Sequence, residues 1–112
     1  NANEIQQVVG NLCGKVDVIY SPTDNMIAAG MTLVSQVANE YKIPVICGEE
    51  GMVNAGGLAT YGINYYELGK LTAKMAVEIL RDGKKPAEMP IETLQKFDLK
   101  VNEKTEKIII GK

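Results

Sequence analysis

Two short β-branched runs with one helical stripe between them constrain this chain more than any other feature. Val16-Asp-Val-Ile-Tyr20 ends in Ser21-Pro22, and Ile43-Pro-Val-Ile-Cys47 ends in Gly48. Runs so short and so apolar suit strands covered on both faces, as in a parallel sheet, better than helices. Between them, Ile27, Met31, Val34 and Ala38 recur at helical spacing from about Asn25 to Tyr41, and Pro44 follows. Parallel strands need a crossover rather than a tight turn, so residues 16–47 are expected to form one βαβ unit with a single crossover helix.

The flanks extend this pattern. Ile5, Val8, Val9 and Leu12 line one side of a short helix that stops at Gly14. The stretch from Gly48 to Gly57 holds four glycines in ten positions and reads as a loop. Leu58 to Ile63 is a third strand, and Asn64 with Glu67 three residues on has the spacing that opens a helix. Leu68, Leu71, Thr72, Met75 and Ile79 form the stripe that this helix buries, and Asp82-Gly83 ends it. Beyond Lys84, Pro86 and Pro90 interrupt regular structure, Ile91–Leu94 and Phe97–Val101 are extended pieces, and Lys104–Gly111 is a short strand or a frayed helix. The fold class is α/β, a parallel sheet with flanking helices.

Composition removes several functions. With 46% hydrophobic and 23% charged residues in 112, the chain is one globular domain or a piece of one. Its net charge of −2 and scattered basic residues give no reason to expect nucleic acid as a partner. No apolar run approaches the ~20 residues of a membrane helix. Cys13 and Cys47 are too few and too far apart for a disulfide framework or a metal site, and the absence of histidine excludes Ser-His-Asp and Cys-His catalysis and His-ligated zinc. No enzyme activity, metal or cofactor is expected. The start at Asn1-Ala2, without methionine, reads as a piece cut from a longer chain, with these two residues a cloning remnant.

In open α/β sheets, ligands collect beyond the carboxyl ends of the strands, and the polar residues of interest fall there. Thr23, Asp24 and Asn25 follow the first strand, Glu49 and Glu50 follow the second, and Asn64, Tyr65 and Tyr66 follow the third. Carboxylates gathered at one crevice suit an ammonium group, while backbone N–H groups at the helix start near Asn25 suit a carboxylate, so together they fit a zwitterion. Each residue also has a purely structural reading. Asp24 or Thr23 can serve as a helix N-cap, Asn64 likewise, Glu50 as a solvated partner to an inward Glu49, and the tyrosines as half-buried core edges. Gly69-Lys70 lies inside a helix and is no phosphate-binding loop.

The ordered strings Val16–Asn25, Ile43–Gly51 and Gly56-Gly-Leu-Ala-Thr-Tyr-Gly-Ile-Asn-Tyr-Tyr-Glu-Leu-Gly69, with Lys84-Lys-Pro-Ala-Glu-Met-Pro90 after them, resemble the ABC-transporter substrate-binding family that includes tryptophan- and tyrosine-binding lipoproteins. The resemblance runs from about residue 4 to 103 and implies part of a periplasmic-binding-protein type I fold, in which two lobes close on a solute. Residues of about 4–55 would belong to one lobe, about 58–83 to the other after a hinge near Gly56-Gly57, and 84–112 to a return segment. The family's amino-terminal half, with its lipobox, has no counterpart in these residues. The implied function is extracytoplasmic capture of an amino acid, aromatic favoured, for an ABC permease, by a membrane-anchored lipoprotein or a periplasmic protein. Thr23, Asp24, Asn25, Glu49 and Glu50 would line the cleft, and Asp24 and Glu49 would receive the ammonium. Self-association of the isolated chain is expected from the apolar surface that a missing lobe leaves bare. The rival readings are a Mg²⁺-dependent phosphoacceptor receiver-like domain, which needs a strand-end Lys that the sequence does not make evident, and the effector-sensing lobe of a transcription regulator.

Overall fold

In the computed structural model, which describes residues 1–111, both β-branched runs become strands and pair in parallel. β1 (Ile19–Ser21) lies beside β2 (Val45–Cys47), with Ile19 opposite Val45 and Ser21 opposite Cys47. β3 (Ala59–Gly62) is parallel to β2, and β4 (Asp98–Val101) is antiparallel to β3 in the order β1-β2-β3-β4. The α/β expectation holds, with a sheet that is mostly rather than wholly parallel. β4 is reversed because the chain leaves the sheet at Gly62 and returns at Asp98, and these two residues face each other across the ladder.

The described chain divides into two compact units, Asn1–Gly62 with the tail from Asp98, and Ile63–Phe97. The division falls six residues beyond Gly56 because β3 is bonded on both sides within the first unit.

In the first unit, α1 (Ala2–Cys13) opens on a capping box between Asn1 and Glu4, and α3 (Met31–Glu40) packs against it. Val9 and Cys13 of α1, together with Met31, Val34, Val37 and Ala38 of α3, form the core with Val45 and Cys47 of β2. Burying each of these valines and Met31 contributes roughly 1.5–3 kcal/mol. The single crossover helix expected over 25–41 is instead two, α2 (Asn25–Ala29) and α3, joined at Gly30. Glycine suits the junction, since a methyl at Gly30 would lie 2.6 Å from Ile5 Cδ1 of α1. α3 ends on Lys42 in the left-handed region (φ 55), with the Ile43 N–H bonded to the Ala38 carbonyl and the Lys42 N–H to that of Asn39, a Schellman closure.

Two further expectations are corrected, and the alternative left open for the tail is decided. The glycine-rich loop contains a helix, α4 (Glu50–Asn54), whose Met52 and Val53 are buried. Ile91–Leu94 forms no strand, while 98–101 does. The tail is a helix, α6 (Glu103–Ile110), capped by Asn102 and closed by Gly111 at φ 78. α6 is tied back to α4 and the loop that follows it, because Asn102 Nδ2 donates to the Val53 carbonyl at 2.9 Å and the Thr105 hydroxyl to that of Gly56 at 2.9 Å.

The second unit is built on α5 (Tyr65–Leu80), where Asn64 Oδ1 accepts from the N–H groups of Tyr66 and Glu67 at 2.9 and 3.2 Å. Leu68, Leu71, Met75 and Ile79 are half-buried along one side. Thr72, expected in that stripe, is exposed, and its hydroxyl bonds the Leu68 carbonyl. No residue of α5 is fully buried, and Leu80 and Ile91 are almost wholly exposed.

Candidate functional site

Parallel pairing brings the carboxyl ends of β1 and β2 side by side, and the polar loops follow from there. The Gly48 N–H donates to the Ser21 carbonyl at 2.8 Å, which extends the ladder one residue past β2 and lays Gly48 against Pro22 and Thr23. The end of β3 joins them, since Gly62 adjoins the Gly48 carbonyl and the Cα of Glu49. Three strand ends therefore meet around Gly48.

The carboxylates at this end are held by their own helices. Asp24 Oδ1 accepts from the N–H groups of Met26 and Ile27 at 2.8 and 3.0 Å, the N-cap of α2. Glu49 uses both oxygens, Oε2 accepting from Gly51 N–H at 2.7 Å and Oε1 from Met52 N–H at 2.8 Å, and so caps α4. A carboxylate has about four acceptor positions, so each retains capacity for a ligand donor while its rotamer is fixed. Glu50 points elsewhere, with its Oε1 3.4 Å from Lys100 Nζ on β4. Thr23, Asp24 and Asn25 are exposed, Glu49 is partly covered and Glu50 exposed. The Thr23-Asp24-Asn25 loop is thus next to the Gly48-Glu49 loop, whereas Glu50 is turned toward β4.

Beneath these loops lie two groups that sequence reasoning passed over. Thr60 is 3% exposed, and its hydroxyl is buried without a hydrogen-bond partner among the described residues. Nothing in the sequence distinguishes Thr60 from any strand threonine, because its hydroxyl loses its partners only once that face of β3 is packed. The Cys47 thiol, also buried, is pushed up to about 11 by desolvation and then by the Glu49 carboxylate. Burial raises the Cys13 thiol as well. Lys100 was likewise missed as a strand-borne cation, since its position opposite Glu50 depends on the antiparallel return of β4.

Shallow depressions are lined by other residues. One of about 360 Å³ is lined by Glu78, Lys84, Lys85, Glu88 and their neighbours in the second unit, and one of about 440 Å³ by α1 and Tyr41. Among the described residues no three Cys, Asp or Glu side chains converge as a metal-ligand set, and no helix is long and apolar enough to cross a membrane.

An α/β sheet with polar loops gathered beyond its parallel strand ends, held by caps and bordered by close-packed glycines, has the layout of a solute-binding lobe. The chain belongs to the ABC transporter substrate binding protein family, which it matches over residues 1–109. Members of this family bind solutes and are not enzymes. The chain is 44% identical over 108 residues to the tyrosine-binding protein of Clostridioides difficile strain R20291, an alignment that covers 96% of this chain and 31% of that protein. Among solved structures it is similar to an ABC domain in complex with L-Trp from Streptococcus pneumoniae (TM-score 0.84, 35% identity, 97% of this chain and 37% of that one). It is also similar to a ligand-free, open substrate-binding protein with adhesive properties from Clostridium difficile (TM-score 0.78, 47% identity, 97% and 37%). The chain spans about a third of the length of these relatives.

Proposed function

We propose that this chain is the carboxy-terminal portion of an extracytoplasmic solute-binding protein that captures an aromatic amino acid for an ABC permease. The observation that carries this reading is that a tyrosine-binding protein and a tryptophan complex align with nearly the whole chain at 44% and 35% identity. The first unit contributes to one lobe and the second to the other, and the solute sits against the loops that follow β1 and β2. Asp24 and Glu49 receive the ammonium through the acceptor positions their caps leave open, and Thr23 and Asn25 supply further polar contacts. Capping fixes both carboxylates before the ligand arrives, which lowers the ordering cost of binding. Glu50, paired with Lys100, steadies the loop from the side of β4. A micromolar ligand corresponds to about −8 kcal/mol; if two lobes share it, one alone supplies ~−4 and binds only near millimolar. The complete protein is therefore the binding unit, either lipid-anchored or periplasmic.

Calorimetry on the full-length protein with L-Trp, L-Tyr and L-Phe, and separately with Mg²⁺ and a phosphate mimic, tests this reading. Saturable micromolar binding of an aromatic amino acid is the expected result. Heat only with Mg²⁺ and the phosphate mimic, or with a sugar or a purine, would replace it. Retention of full affinity in an Asp24→Ala, Glu49→Ala double variant would remove these two residues from the site.

A further inference from the structure

We propose that Gly48 and Gly62 are positioning residues of the solute site, setting the spacing of the loops after β1 and β2 on the end of β3, because a side chain added at either place would press on neighbouring backbone. The proposal rests on the reading that the loops after β1 and β2 hold the solute. A methyl at Gly48 would lie 2.5 Å from Thr23 Oγ1, 2.6 Å from the Thr23 backbone nitrogen and 3.1 Å from the Pro22 carbonyl carbon. A side-chain oxygen can rotate away, but two of these neighbours are backbone, so the 22–25 loop itself must move. Ordinary contact begins near 3.4 Å, and Thr23 would retreat by about 0.8 Å, carrying Asp24 with it. A methyl at Gly62 would lie 3.0 Å from Thr60 Oγ1 and 3.2 Å from the Gly48 carbonyl oxygen, with Glu49 Cα at 3.8 Å, so it would push the Gly48–Glu49 loop by only a few tenths of an ångström.

The two glycines act in series. Gly62 seats the β2 loop on the end of β3, and Gly48 seats the β1 loop on the β2 loop. Binding constellations need their groups within ~0.5 Å of the productive geometry; the first displacement exceeds that limit, and the second uses up a large part of it, so its effect on affinity is smaller but measurable. Neither glycine has a left-handed backbone, so their requirement is space rather than conformation.

The test compares Gly48→Ala and Gly62→Ala with Gly10→Ala and Gly69→Ala in the full-length protein. At Gly10 and Gly69 an added methyl meets nothing within 4 Å. Affinity for L-Trp and L-Tyr is measured by calorimetry well below each variant's melting temperature. The expected result is a rise in Kd of about tenfold or more for Gly48→Ala and about three- to fivefold for Gly62→Ala, with the two controls within twofold of the parent. Lower melting temperatures with unchanged Kd in the folded protein would assign the glycines to stability alone and overturn the proposal. If Gly48→Ala does not fold, the milder Gly62→Ala decides the matter by the same criterion. A parent protein that binds neither amino acid defeats the proposed function and this inference with it, whereas a parent that binds and variants that bind equally well defeat only the inference.

Discussion

Glu49→Ala separates the structural role of this carboxylate from its binding role. In the folded chain both oxygens accept backbone N–H groups, those of Gly51 at 2.7 Å and Met52 at 2.8 Å, at the start of a five-residue helix. A helix so short does not persist by propensity, because nucleation alone outweighs its few hydrogen bonds. Two things hold it: the cap, and the burial of Met52 and Val53, which are 1% and 0% exposed. Removing an N-cap costs about 0.5–2 kcal/mol, and a charged acceptor making two bonds belongs in the upper half of that range. Unwinding α4 would also expose two core side chains at roughly 1.5–3 kcal/mol each, so the helix stays docked and the loss stops near 1–2 kcal/mol. With a urea m-value of about 2 kcal/mol/M, the midpoint should fall by ~0.5–1 M. Urea titration followed by circular dichroism measures this, and calorimetry with L-Trp on the full-length protein measures binding. A midpoint within 0.1 M (about 0.2 kcal/mol) of the parent would refute the capping argument. A lowered midpoint with intact affinity would keep the cap and end the ammonium assignment.

Thr60→Val should raise stability by about 1 kcal/mol in chemical denaturation, since it removes a buried hydroxyl that has no partner and keeps the branched shape; a loss of stability would mean that the hydroxyl is satisfied in solution. The Cys47 thiol is raised from its ordinary 9.0 to about 11, so the unfolded chain releases this proton first as pH rises. The stability linked to it is complete below pH 9.0 and is lost through about 11, and Cys47→Ala should flatten that alkaline decline; an equally steep decline in the variant would place its origin elsewhere. Tyr20 and Leu99 are 66% and 71% exposed on the same bare side of the sheet as Val18, so the 112-residue chain alone should self-associate. Light scattering should show that Tyr20→Glu with Leu99→Glu reduces this association, and a parent that is monodisperse and monomeric at high concentration would contradict it.

The sequence alone carried what depends on local periodicity and caps. The βαβ unit, the stripe of α5 along Leu68, Leu71, Met75 and Ile79, the cap at Asn64 and a cap at Thr23 or Asp24 all follow from residue type and spacing, which act within a turn or two of helix. The five residues offered for the site were also legible as strand-end polar groups, although that pattern left open which of them turn toward one another.

Tertiary structure decided the rest, because the deciding contacts join residues far apart in the chain. Glu50–Asn54 looks like a glycine-rich loop until Met52 and Val53 find the core. The lack of room at Gly30 appears only against Ile5 of α1, and the direction of β4 follows from where the chain re-enters beside Gly62. The same holds at the site, where Lys100 meets Glu50 across half the chain and Gly48 and Gly62 matter through the backbones lodged against them. Spacing along a sequence fixes neighbours on one element, and contact distances between elements exist only after the sheet has been assembled.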